Sequence, residues 1–491
     1  MIATEVQTST ILGSRRHSPV WLVSLWGMGK TMINRWVALS AMVVLCVAAS
    51  GLSHASSFDP QAATDAYLAT LTGEAKAKSD AYFEGGYWII AYNALASIGA
   101  ALALLFTRAS PAMRDLAESV TTWRWLQTFI YAALFVLLTS VMTFPLSLYT
   151  DFTREHAFGL SNMSMNAWLK EYAMSLGIGT VLTSFFIVGL YGVIRRAGES
   201  WWIWATGVSV AFAMFGSMIF PVFISPLFNE YKPMREGMLK EEILSMARAN
   251  GVPAENVYEF NASKQSKRIS ANVSGFLGTT RVSLNDNLLD RATPAEVRAV
   301  MAHEIGHYAL GHMYEMMVTL TVLAAVGFLL IDVGFGVLHG TFGNWWRVRD
   351  FTDMAGLPIL VVVSTFFGVL ATPITNTMVR ANEAEADIFG LNAAREPDAF
   401  ATISLKLAEY RKLQPTPWEE FVFYDHPSGR SRISMAMRWK AEHLIGLPSA
   451  ASLPPSGIAM NSTLDLGPVA TLPEFADPPP ISAEEMSKAQ Q

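Results

Sequence analysis

Long apolar runs punctuate this chain, and charge returns in blocks between them. Tyr87–Phe106, Trp125–Tyr149, Tyr172–Ile194, Trp201–Phe223, Met316–Leu338 and Met354–Val379 hold one charged side chain among them, Asp332. At 1.5 Å per residue, a helix of ~20 residues crosses a hydrocarbon core of ~30 Å. Each run is that long, so each predicts a membrane span. Trp123, Trp125, Trp201, Trp202 and Trp204 flank the spans, where an interfacial belt places aromatic rings. Asp332 costs ~2.5–3.5 kcal/mol at a span centre, so an interhelical hydrogen bond is expected for it. An earlier apolar stretch, Trp36–Leu52, ends in the small residues Ser53-His54-Ala55-Ser56. It reads as a signal peptide or a short first membrane helix, and the retained helix is the reading adopted. Residues 53–86 read as a polar loop of helical character.

The pattern changes over residues 229–302. Pro233–Asn250 has the period of an amphipathic helix closed by Gly251. Val257–Phe260, Ile269–Val273 and Arg281–Leu284 read as short strands. Lys264, Lys267, Arg268 and Arg281 mark an aqueous region. Residues 380–443 are polar and mostly helical in pattern. From Gly446 the chain is rich in Pro, Ser and Ala and reads as a disordered tail.

Composition agrees with a polytopic membrane protein. Of the 491 residues, 52% are hydrophobic and 15% charged, against roughly 25% charged in soluble domains. Mean hydropathy is +0.30. The net charge of −6 argues against a nucleic-acid partner. A single cysteine, Cys46, excludes an internal disulfide framework and a cysteine-rich metal site. No internal repeat is evident.

Candidate chemistry begins at Ala299-Val-Met-Ala-His303-Glu304-Ile-Gly-His307-Tyr308. On a helix, His303 and His307 lie on one face, where both imidazoles reach one tetrahedral Zn²⁺. Glu304 stands beside the first of them, placed to take a proton from metal-activated water. Thr293-Pro294-Ala295-Glu296 reads as a capping box that starts this helix. H-E-x-x-H arises by chance in roughly one chain in a hundred of this composition, so the motif needs support. Two spans follow His307 and return the chain to the same side of the membrane. There it meets Asn382-Glu383-Ala384-Glu385-Ala386-Asp387. Glu383 and Asp387 share a helical face and Glu385 points away. Glu383 is therefore the expected third ligand, with Asp387 supporting it. A solvated acidic helix start is the bland alternative. Further on, Tyr424-Asp425-His426-Pro427-Ser428-Gly429-Arg430-Ser431-Arg432 gathers a histidine and arginines. His426 and Arg432 are candidates to stabilise an oxyanion, and capping or salt-bridge roles fit them equally.

Taken together, these parts resemble the integral-membrane zinc endopeptidases typified by the type I CAAX prenyl protease. The likeness spans roughly residues 36–443. It rests on the spans, on His303-Glu304-Ile-Gly-His307, on Glu383-x-x-x-Asp387, and on His426-Pro427 with Arg432. The resemblance implies a mainly α, polytopic protein of about seven membrane helices enclosing a chamber, with a small α+β zinc metalloprotease domain. It implies one Zn²⁺ per subunit on His303, His307 and Glu383, and Glu304 as base. Asp387 is then a supporting residue or proton donor, with His426 and Arg432 near the substrate. Ser270-Ala271-Asn272 aligns with the substrate-pairing strand, where the family carries an Asn-Ala-aromatic stretch.

The implied layout has a polar extension (1–35), five membrane helices with loops (36–228) and a protease domain (229–315). Two further membrane helices (316–379), a helical return to the protease domain (380–445) and the tail (446–491) follow. The expected partners are a peptide or protein substrate, lipidated at a C-terminal CAAX sequence, and the bilayer. A quality-control membrane protease is the alternative enzyme. A transporter or scaffold with a vestigial metal site is the alternative outside catalysis. Arg15, Arg16, Lys30 and Arg35, with Arg108, Arg114, Arg195 and Arg196, suggest an inside N-terminus. Five crossings would then put the protease domain outside. The resemblance puts it on the cytoplasmic face, the placement carried forward.

Overall fold

The computed structural model describes residues 58–275 and 280–445. The extension 1–35, the apolar stretch Trp36–Leu52 and the tail 446–491 lie outside the described residues. The six remaining apolar runs are all helical. They fall in five continuous runs long and apolar enough to cross a membrane, of which Met165–Phe228 has 64 residues. That run is two legs, Met165–Ala197 and Trp201–Ile219. A 3₁₀ turn at Gly198–Ser200 separates them, and Gly198 adopts φ +53° there. The left-handed backbone favours glycine at this reversal. The two legs pack on each other.

The spans leave large apolar side chains uncovered, among them Val141, Phe185, Phe215, Val333 and Phe366. Water would not favour so much contiguous apolar surface. Asp332 finds the expected interhelical partner: Trp201 Nε1 donates to its Oδ1 at 3.0 Å. Residues 53–86 hold more regular structure than expected. Pro60–Leu68 is a helix capped by Asp59, and the helix Gly73–Phe106 begins well before its apolar portion.

The small sheet has four strands: β1 Tyr231–Pro233, β2 Val257–Phe260, β3 Ala271–Ser274 and β4 Arg281–Asn285. Their order is β1-β2-β4-β3, with β2 and β4 parallel and the outer pairs antiparallel. Strand β3 is therefore an edge among the described residues. It sits slightly later than expected, because Ser270 is drawn to Asn285. The Asn285 N–H donates to Ser270 O at 2.9 Å, and Ser270 N–H donates to Asn285 Oδ1 at 3.2 Å.

The amphipathic helix expected at Pro233–Asn250 is shorter, Met238–Ala249. Its first residues pair with β2 instead, and Met234 N–H donates to Val257 O at 2.8 Å. The unfilled edge of β2 outweighs the helical period there. Beneath the sheet, Val282 and Leu284 of β4 share one core with Val297, Met301 and Ile305 of the helix Pro294–Ala309, against which strand β3 lies. All five are buried. Burying a side chain of this size is worth about 1.5–3 kcal/mol. The contact anchors the helix that carries the two histidines.

Candidate metal centre

The histidine helix Pro294–Ala309 begins with a complete capping box. Glu296 N–H donates to Thr293 Oγ1 at 3.3 Å, and Thr293 N–H donates to Glu296 Oε2 at 2.7 Å. Pro294 occupies the first helical turn, where no backbone N–H is missed. Glu296 Oε2 also accepts from Lys406 Nζ at 2.7 Å.

Against this helix lies the acidic helix Leu357–Ala394. It is one run of 38 residues that passes from an apolar span into the site. Gly390 permits the approach. A Cβ there would stand 3.1 Å from His303 N and 3.2 Å from its Cα, which a helix backbone cannot easily yield.

The packing brings Glu383 between the two imidazoles. Its Oε2 is 3.2 Å from His303 Nε2, and its Oε1 is 3.3 Å from His307 Nε2. The two Nε2 atoms are 3.1 Å apart. One ligand atom from each of His303, His307 and Glu383 lies within 4.8 Å of the others, a group able to hold a metal ion. Glu383 Oε2 is buried without a hydrogen-bond partner among the described residues. An orphaned carboxylate oxygen facing two imidazole nitrogens fits a cation better than it fits a purely protein-bonded core. His426 completes the approach, with Nε2 3.2 Å from Glu383 Oε2 and Nδ1 2.8 Å from Asp425 Oδ1.

Each histidine is held from behind. His303 Nδ1 lies 2.8 Å from Asp387 Oδ1. Asp387 is fully buried and accepts from Arg432 Nε at 2.8 Å and Nη2 at 2.5 Å. His307 Nδ1 lies 2.9 Å from His312 Nδ1, and His312 Nε2 lies 3.4 Å from Glu385 Oε2. Both arrangements leave Nε2 toward the centre, as metal-ligating histidines require.

Burial disfavours a charged His303. The carboxylates of Asp387 and Glu383 outweigh it and push the pKa up to about 10. A divalent cation on Nε2 would take the place of that proton. Burial raises Glu304 above the ordinary carboxylate range, with His303 and His307 opposing. Burial also lowers His312, and His307 adds to that.

Glu304, His303, Glu383, His426 and Arg432 line one cavity of about 130 Å³, together with Ala271 of β3. Asp387 stands outside it, behind His303. Of Ser270, Ala271 and Asn272, Ala271 alone lines the cavity. The Ser270 backbone is spent on Asn285. By antiparallel alternation Asn272 also faces β4, so the N–H and C=O of Ala271 and Val273 point to the open edge.

Sequence reasoning passed over His312, Asp425, Tyr410 and Arg411. His312 begins a new helix after Gly311, whose φ is +74°. That break removes the helical period that would have related it to His307. Asp425 was adjacent to a named histidine and readable as its partner. Tyr410 and Arg411 sat in a polar stretch with no signal.

The N-terminal residues 60–230 match the CAAX prenyl protease N-terminal family, described as five membrane helices. Residues 233–440 match peptidase family M48. The chain is a membrane metallopeptidase of family M48. Among its relatives is an uncharacterized metalloprotease, YhfN, of Bacillus subtilis, 26% identical over 335 residues, covering 68% of this chain and 78% of that one. CAAX prenyl protease 1 of Saccharomyces cerevisiae is 25% identical over 327 residues, covering 63% and 71%. The crystal structure of S. mikatae Ste24p shares the fold, with a TM-score of 0.64 at 21% identity over 74% of this chain and 88% of that one. An M48 peptidase uses a metal and acts on peptides or proteins, and the N-terminal helices make it an integral, multi-pass membrane protein.

Proposed function

We propose that this M48 peptidase is a zinc endopeptidase that trims prenylated CAAX proteins on the cytoplasmic face of its membrane. The observation that carries the chemistry is the meeting of His303, His307 and Glu383, with Glu304 on the wall of the same cavity. The donor set of two imidazoles and a carboxylate is the hydrolytic zinc set. Bound there, zinc supplies Lewis acidity toward a carbonyl and toward water.

The chain's own residues do the rest. An extended substrate lies beside β3 and bonds the outward backbone groups of Ala271 and Val273, as an added strand. Glu304 accepts the proton of the attacking water on its carboxylate and delivers it to the leaving amine. Its raised proton affinity suits both halves of that transfer. His426 donates from Nε2 to the developing oxyanion. Asp387 holds the Nδ1 proton of His303, and Arg432 holds Asp387. In this reading residues 229–315 and 380–445 form one catalytic unit, and the membrane helices before and between them bring it together.

Glu304→Gln should bind zinc as the native protein does and lose at least ~10²-fold in cleavage. Metal analysis and a peptidase assay on the same preparation read both quantities. Undiminished cleavage would remove Glu304 as the base. The substrate class comes from the relatives' names, so a farnesylated CAAX peptide should be cleaved well ahead of its unlipidated twin. Equal cleavage would point to a general membrane peptidase of the quality-control kind. Reporter fusions after residue 445 read the sidedness, and an external reporter would refute the cytoplasmic placement.

A further inference from the structure

The cavity beside the histidines holds one cation more than its internal pairings use. Arg432 spends Nε and Nη2 on Asp387. The neighbour of Arg411, Lys412, bonds both Glu84 and Glu419, at 2.7 and 2.8 Å. Arg380 donates to the carbonyls of Glu420 and Tyr424. Arg411 differs. It lines the cavity half-buried, and its guanidinium has neither a hydrogen bond nor a carboxylate within 4.0 Å among the described residues.

The segment that carries it is pinned. Ser79 Oγ donates to Arg411 O at 3.0 Å and also to Ala408 O. Tyr424 O–H donates to Lys412 O at 3.0 Å. The guanidinium is thus presented by a fixed backbone. Burial, with Arg432 nearby, lowers its proton affinity, while Tyr410, Asp425 and Glu383 pull the other way. A partly desolvated charge without a partner is unfavourable, and a bound anion removes that penalty.

The remaining wall defines what accompanies the anion. Ile269, Val300, Phe400, Ile403 and Leu407 make it apolar. The same cavity joins Arg411 to the histidine pair and to Glu304, so a peptide reaching the metal centre can end at the guanidinium. A guanidinium matches a carboxylate through two parallel N–H donors. We propose that Arg411 binds the free α-carboxylate at the substrate's C-terminus, with the apolar side chain of the last residue against Ile403 and Leu407. Arg411 then sets where the peptide ends relative to the metal centre, and makes the enzyme a reader of chain termini. This rests on the peptidase reading above.

The test uses the full-length, zinc-loaded protein and three farnesylated CAAX peptides of one sequence. One ends as the free acid and one as the carboxamide. The third is a carboxamide with Glu as its last residue. The native enzyme should favour the acid over the amide at least ~10-fold in kcat/KM, chiefly through KM. In Arg411→Gln the acid-to-amide ratio should fall to about one, and Arg411→Lys should keep an intermediate ratio. Equal cleavage of acid and amide by the native enzyme would overturn the assignment and leave the peptidase reading intact. So would an Arg411→Gln variant that is slower but keeps the full ratio, which is how a structural or oxyanion role would behave. Recovery of the acid's rate by the Glu-ended amide would show a side-chain carboxylate to be the ligand and overturn the α-carboxylate. Cleavage of none of the three by the native enzyme would remove the peptidase reading and this proposal with it.

Discussion

The two histidines of the centre stand on the same helix face, yet they are supported in opposite ways. Behind His303 lies Asp387, wholly buried and locked by two bonds from Arg432. Behind His307 lies His312, whose own partner Glu385 is 3.4 Å away with a side chain 64% exposed. One support is a buried ion pair and the other leads outward to solvent. A buried pair is expensive to break because the survivor keeps its charge without a partner. A chain that ends in water can reorganise at little cost. The same task, holding an imidazole with Nε2 forward, thus rests on a buried charge pair on one side and, on the other, on a buried neutral ring whose own partner is exposed.

The sharpest way to break this contrast is Asp387→Ala. It strands the Arg432 guanidinium and releases His303 at once. Stability should fall by about 3–5 kcal/mol, with zinc content and cleavage lost together. Thermal melting and metal analysis check both. Adding Arg432→Met should recover most of the stability and none of the zinc affinity. If the double variant regained its metal, Asp387 would not be what orients His303.

On the other side, His312→Ala should weaken zinc by about 10–100-fold, the usual cost of losing a ligand's outer partner. Its melting temperature should fall by less than that of Asp387→Ala, since truncating the buried imidazole leaves a cavity but strands no charge. Competition with a chromogenic chelator gives the affinity. A large drop in melting temperature without loss of affinity would mean that His312 only fills space. Glu385→Ala should have the smallest effect, within about 0.5 kcal/mol in stability and less than ~3-fold in zinc affinity, because a solvent-exposed carboxylate 3.4 Å from its partner contributes little. An effect as large as that of His312→Ala would mean the outward chain is not slack and would erase the contrast.

What was legible beforehand follows the range of the interactions involved. The capping box at Thr293 and the strand Val257–Phe260 stand where local pattern placed them. The apolar run around Asp332 requires an interhelical partner, and nothing local points to Trp201 as that partner. Errors fell where a distant element competed for the same backbone. Pro233 and Met234, the start of the expected helix, join β2 instead, and Ser270 is taken by Asn285. His312 escaped notice because a left-handed glycine reset the helical phase after His307.

By itself the sequence determined where apolar helices run, and it put His303, Glu304 and His307 on one capped helix. Those are properties of residues a few positions apart, and backbone geometry alone relates them. Only the tertiary structure decided that Glu383 sits between the imidazoles, that Asp387 and His312 divide the work of holding them, and that Arg411 finds no partner among the described residues. These depend on the register of two helices separated by a long hairpin. That register is set by side-chain packing and by the close approach at Gly390, which no local period encodes.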